Sequence, residues 1–328
     1  MLLAGDIGGT KTHLALYTAE NGPRDALADA TFPSKDFPNL ESIIQQFLQN
    51  REEKVTRATF GVAGPVEGED ATATNLPWII RAGRLRELLA IDRVDLLNDL
   101  EAAAYAVPFL LPDETHLLND ARSLPHAPIG VIAPGTGLGE AYLIWNGTRY
   151  QAHASEGGHT DFGPTNPLEM DLLRYMSKRL DHVSYEWVCS GRGIPNLYAY
   201  LKDTGVAQEP PWLAQQLQAA SDPTPVIVTA ALNHATHPCE LALETMQMFV
   251  SILGAQAGNL ALTLGAWGGI YVGGGIPPRI LPLLGDKHFM QSFLNKGRFT
   301  RVLIRVPVRV ILVRNAGLLG LAYYGLDY

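Results

Sequence analysis

The sequence predicts an α/β protein of two domains, each opening on a pair of strands joined by a glycine turn. Three observations predict it. First, the apolar strand Leu2–Asp6 runs through Gly8-Gly9-Thr10 into a second strand, His13–Tyr17, and the pattern recurs as Ile129–Ala133, Gly135-Thr136-Gly137 and Glu140–Trp145. Second, strands alternate with segments of helical periodicity, the mark of a mixed sheet covered by helices. Third, 328 residues exceed what a single core usually organises. The repeated hairpin suggests an ancient duplication, with a ligand cleft expected between the halves.

Taken in order, Ala58–Val62 reads as a third strand ending at Gly64-Pro65, and Val94–Leu97 as a fourth. Leu40–Leu48 and Leu85–Leu89 are helical between them, and Glu101–Val107 is a helix opening after Asn98-Asp99 and stopped by Pro108. Pro112–Pro128 reads as a polar link before the second hairpin. Helices dominate from Leu168 to Leu264, followed by the strand Ile270–Val272 and three glycines. Val306–Val313 closes as a strand and Asn315–Tyr324 as a helix. A small α/β domain is therefore expected over residues 1–110, completed by the strand and helix of 301–328, with a large α+β domain over 111–300.

The composition is that of a globular enzyme: 47% hydrophobic and 18% charged, with 32 glycines. A net charge of −8 without a basic cluster argues against nucleic acid or an anionic membrane as partner. Cys189 and Cys239 build no disulfide framework or zinc site, which fits a reducing cytoplasm. The opening residues carry neither the basic nor the apolar region of a signal peptide. Thr245–Pro278 lacks charge, but Gln247, Ser251, Gln256 and Asn259 interrupt it, so a buried helix leading into a central strand is expected there and not a membrane span.

Gly5-Asp6-Ile7-Gly8-Gly9-Thr10-Lys11 follows a strand, and its glycines let backbone N–H groups approach an anion, with the Thr10 hydroxyl as a further donor. Thr10 stands where a P-loop needs its second glycine, and a strand follows where a P-loop has a helix. The dinucleotide fingerprint G-x-G-x-x-G is absent as well, which weakens a nicotinamide dehydrogenase reading. Asp6, at the end of a buried strand beside this turn, suits a Mg²⁺ ligand, direct or through an intervening group, and also suits a turn cap. Pro134 to Gly139 repeats the turn chemistry, so Gly135, Thr136 and Gly137 could grip the same polyphosphate from the other side. Gly273-Gly274-Gly275 offers bare backbone to a flat group such as adenine or ribose.

Asn98-Asp99 sits at a strand-to-helix junction, where both residues suit an N-cap and where Asp99 could also take a proton from a substrate hydroxyl. Glu156-Gly157-Gly158-His159 sets a carboxylate and an imidazole around two glycines, and Glu186 is a lone charge among aromatic residues. Carboxylates dense around an amide suit the vicinal hydroxyls of a sugar, and no Cys/His ligand set competes.

In this order and spacing the motifs closely resemble the bacterial glucokinase family of the actin-like ATPase superfamily, from Gly5 to the C-terminal helix. The resemblance implies a two-lobed actin-like (ribonuclease H-like) fold and a cytoplasmic homodimer that phosphorylates D-glucose with ATP and Mg²⁺. Carried over by motif, Asp99 is the general base, and Asn98, Asp99, Glu156, His159 and Glu186 bind the sugar. Gly5, Asp6, Ile7, Gly8, Gly9 and Thr10 hold ATP phosphates with Asp6 toward the metal, Gly135–Gly137 oppose them, and Gly273–Gly275 lie near the nucleoside. The sequence departs from the family at Lys11, Glu140 and Arg192; a carboxylate at Glu140, beside a phosphate turn, could reach Mg²⁺, but Glu140 is expected rather to face solvent on its alternating strand. Another hexose would suit the same carboxylates. A sugar-sensing regulator on this fold would need a DNA-binding helix-turn-helix, which is not expected because the sequence opens directly on the first strand.

Overall fold

The computed structural model describes residues 1–51 and 53–328. They form two compact units, one of residues 1–111, 141–154 and 313–328, the other of residues 112–140 and 155–312.

In the first unit, Ala28–Pro33, Lys11–Tyr17, Leu2–Ile7, Arg57–Val62 and Arg93–Asn98 lie side by side in that order. The last three strands run parallel, with Asp6 opposite Gly61 and Val62 opposite Asn98, so their C-terminal ends converge. Side chains alternate across a strand, and the first strand shows the consequence. Leu3 and Ile7 face a core built with Ile43, Ile44 and Phe47 of the helix Leu40–Leu48, which Asn39 caps through its bond from the Ser42 N–H. Leu2 and Ala4 face the other way, toward Ala102 of the helix Asp99–Ala106 and toward Leu318, Leu321 and Ala322 of the C-terminal helix Ala316–Gly325. Asp6 shares that second face. The two helices meet backbone to backbone, since a Cβ at Gly320 would collide with the Ala102 carbonyl.

The second sheet runs in the order Tyr150–Ser155, Leu138–Trp145, Ile129–Pro134, Gly269–Val272, Val308–Ile311, Thr115–Leu117. Ile129–Pro134 and Gly269–Val272 are parallel with Ile132 opposite Val272, so the segments that follow them emerge together. Behind them the helix Glu240–Leu264 is buried along most of its length and ends at Gly265, whose φ of 60° is a left-handed cap. A Cβ at Gly254 would collide with the Phe289 carbonyl, so glycine sets the close approach of the helix Lys287–Leu294. Among the described residues no helix is long and apolar enough to cross a membrane.

Several strands were not expected, among them the short three-stranded sheet of Val66–Glu67, Asp70–Thr72 and Ile79–Arg81. Ala28–Pro33 buries no residue fully, and Tyr150–Ser155 is mostly polar, so neither carries an apolar signal. The expected link Pro112–Pro128 also contains an edge strand, Thr115–Leu117.

Candidate active site

At the converging strand ends of the first unit stand the Gly8–Thr10 turn, Asp6, Asn98 and Asp99. The turn is closed by the Gly8 N–H donating to the Lys11 carbonyl (2.9 Å). A fully buried serine that the sequence did not single out braces it. Ser34 Oγ donates to the Gly8 carbonyl (2.8 Å) and lies 3.0 Å from Thr12 Oγ1, while its N–H donates to the Thr10 carbonyl. Asn75, also unforeseen, packs on Gly9, where a Cβ would fall 2.6 Å from its own. Gly5 and Ile7 are interior. A Cβ at Gly5 would lie 2.6 Å from Leu14 and 2.7 Å from Phe60, and Ile7 is buried in the first core, so both place the turn and do not line it.

Asn98 does cap its helix: its Oδ1 accepts from the N–H groups of Leu100 (3.0 Å) and Glu101 (3.3 Å), and its Nδ2 donates to the Gly64 carbonyl (3.2 Å). Asp99 Oδ1 accepts from the Leu100 N–H (2.9 Å). Asp6 lies against the start of the C-terminal helix, where a Cβ on Gly317 would be 3.1 Å from its Oδ2. Burial first, and then the negative charge of Asp99, push the Asp6 carboxyl up to about 6, against a smaller opposing pull from His13. A buried carboxylate whose proton affinity a second one raises would gain from a nearby cation. Among the described residues no group of three metal-ligating side chains occurs, so a cation here would draw its other ligands from bound phosphate and water.

The second unit gathers Glu186 and the Glu156–His159 turn around one residue, Leu138. Glu186 Oε2 accepts from the Leu138 N–H (3.0 Å), and a Cβ on Gly137 would collide with that carboxylate. On the other side a Cβ on Gly158 would collide with the Leu138 carbonyl. Glu186 thus touches the second glycine turn directly. Glu156 and His159 stand on one 3₁₀ turn, 83% and 60% exposed, with Oε2 and Nε2 3.9 Å apart. The Tyr185 N–H donates to the Thr160 carbonyl (3.1 Å) and so holds this turn beside Glu186.

The Gly135–Gly137 turn is tied on two sides. The N–H groups of Gly191 and Arg192 donate to the carbonyls of Gly135 (2.8 Å) and Thr136 (3.3 Å). Gly274, at a φ of 84°, approaches so closely that a Cβ would fall 2.5 Å from the Pro134 carbonyl. Gly273 is buried and donates to the Ile132 carbonyl, while Gly274 and Gly275 are exposed. The parallel strand pair thereby sets the second and third glycine turns side by side.

Glu140 corrects an expectation. It does not face solvent: it is 3% exposed, and its Oε1 accepts from Gln256 Nε2 (2.8 Å). The long buried helix comes close enough to cover the strand's second face, so alternation there does not mean exposure. Gln256 and Asn259 were visible in the sequence as polar interruptions, and their spacing of three puts them on one helix face.

Known proteins resemble this chain along nearly its whole length. The glucokinase family model matches residues 3–327. The glucokinase of Nostoc punctiforme is 40% identical, with 98% of each chain covered. That of Cronobacter sakazakii is 34% identical, covering 97% of this chain and 94% of its own. Among solved structures, the glucokinase of an Antarctic psychrotroph superposes with a TM-score of 0.85 at 31% identity, covering 100% of this chain and 99% of that one. The fold is the actin-like ATPase fold that the motifs implied. A match over nearly every residue, with relatives this similar along their whole length, places the chain in the glucokinase family.

Proposed function

We propose that the chain transfers the γ-phosphoryl group of Mg-ATP to the 6-hydroxyl of D-glucose. The observation that carries this reading is the hydrogen bond from the Leu138 N–H to Glu186, which joins an anion-binding glycine turn to a group of hydroxyl-binding carboxylates. Glu156, His159 and Glu186, with Asn98, hold the sugar hydroxyls, and Asp99 accepts the proton of the 6-hydroxyl as its oxygen attacks phosphorus. The N–H groups of Gly9, Thr10, Thr136 and Gly137, with the Mg²⁺ that enters on ATP, stabilise charge on the phosphoryl oxygens, while those of Gly8 and Gly135 close the two turns. Asp6 sits toward that metal, and the exposed Gly274-Gly275 backbone toward the nucleoside. The enzyme so described is a cytoplasmic homodimer.

A coupled assay of ADP release over glucose, mannose, fructose and N-acetylhexosamines tests the reading. Glucose should give the highest kcat/KM, and turnover should require Mg²⁺. A higher kcat/KM for another hexose would reassign the substrate, and no sugar-dependent ADP release would overturn the reading.

A further inference from the structure

Beneath the sugar-facing loops of the second unit runs a buried polar chain that the proposed chemistry does not use. Glu140 Oε1 accepts from Gln256 Nε2 (2.8 Å), Gln256 Oε1 accepts from Asn259 Nδ2 (3.0 Å), and the same Nδ2 donates to the Tyr185 hydroxyl (3.0 Å). Its two ends lie under the two loops that matter. At one end, Glu140 Oε2 fills the space where a Cβ of Gly157 would be, directly after Glu156, and Ser155 Oγ accepts from the Gly157 N–H (3.1 Å). At the other, Tyr185 precedes Glu186 and is buried among Phe162 and Val188. Both loops therefore rest on one hydrogen-bonded bar laid across the apolar helix Glu240–Leu264.

We propose that Glu140, acting through Gln256 and Asn259, is a positioning residue that fixes the spacing of Glu156 and Glu186 and so sets the affinity for the acceptor sugar without touching it. The proposal rests on the reading that these two carboxylates hold the sugar. Its physical basis is the cost of leaving a buried polar group unpaired, which forces such a chain to keep one geometry. An apolar pair in its place would fill the volume but would not direct the loops. Burial raises the proton affinity of Glu140, opposed by the bond from Gln256; burial first, and then the Glu140 carboxylate, push up the Cys189 thiol. Glutamine keeps the shape of this side chain and the oxygen that accepts from Gln256 Nε2, so it is the conservative replacement.

The test compares Glu140→Leu, Gln256→Leu, their double variant and Glu140→Gln, reading glucose dissociation constants by calorimetry, KM for ATP, and thermal midpoints. Each single leucine variant should bind glucose about tenfold more weakly and melt lower, with KM for ATP moving less than twofold. In the double variant no polar atom of the pair is stranded, so the midpoint should recover while glucose binding stays about tenfold weak. Glu140→Gln should restore binding to within about twofold. Recovery of affinity together with the midpoint would overturn the proposal and leave the pair a packing feature, as would equal losses for glucose and ATP. Glu156→Gln in the same titration separates the two readings. If it weakens glucose binding while Glu140→Leu does not, the pocket stands and the positioning role falls. If it leaves glucose binding intact, the pocket reading fails and takes the positioning role with it.

Discussion

Asp6→Asn should make the protein more stable at neutral pH while impairing it as an enzyme. In the folded chain the Asp6 carboxyl is raised from an ordinary 3.8 to about 6 by burial and by Asp99. The native state thus keeps a proton that the unfolded chain has already lost. Stability from this group is complete below about pH 4, declines as pH rises toward 6, and stays at its reduced level above that. A tenfold change in proton affinity is about 1.4 kcal/mol, so a rise from 3.8 to about 6 makes the ionised carboxylate cost about 3 kcal/mol at pH 7.5. Asparagine has the same shape and no charge to desolvate. Urea unfolding of both proteins without nucleotide or Mg²⁺, from pH 4 to 8, should show the variant ahead by up to about 3 kcal/mol at pH 7.5 and the gap closing toward pH 4. In the wild type, kcat/KM for Mg-ATP should fall below about pH 6 as Asp6 takes up its proton and ceases to attract the metal. An Asn variant that is less stable at pH 7.5, or a gap that does not change with pH, would refute the reasoning.

Asp99→Asn should lower kcat by about 10²–10⁴-fold, the usual worth of a positioned base, while glucose still titrates by calorimetry. Ser34→Ala strands the Gly8 carbonyl and the Thr12 hydroxyl, and should cost about 1–3 kcal/mol of stability by urea denaturation and raise KM for ATP more than for glucose. Gly9→Val places a branched side chain against Asn75 and over the turn; fluorescence titration should show nucleotide binding lost and glucose binding kept.

Much of the fold was legible because its strands are buried on both faces or alternate cleanly. Leu2–Ile7 and Ile129–Pro134 are apolar runs ending in glycine turns, and Leu40–Leu48 carries a clear helical stripe. Ala28–Pro33 was not legible, because an edge strand half open to solvent has no apolar side to announce it. At the site, the glycine turns and carboxylates stood out through their chemistry. Ser34 and Asn75 did not, since a lone serine before a lysine and a lone asparagine before a leucine carry no local sign of what they will brace. Glu140 was misread for a related reason. Period-2 alternation tells which face a side chain takes, and only the position of the distant Gln256 decides whether that face is wet.

The packing of Ala316–Gly325 against Leu2, Ala4 and Ala102 has a consequence for how the protein is made. A ribosome emits the strands of this sheet long before the helix that covers their second face. Through most of synthesis, therefore, the nascent sheet lacks Leu318, Leu321 and Ala322 and keeps an oily face open to other chains or to chaperones. The second unit's long helix and its partners are all in hand before that closure. A chain stalled or cut before Ala316 would leave behind a half-covered sheet prone to aggregate.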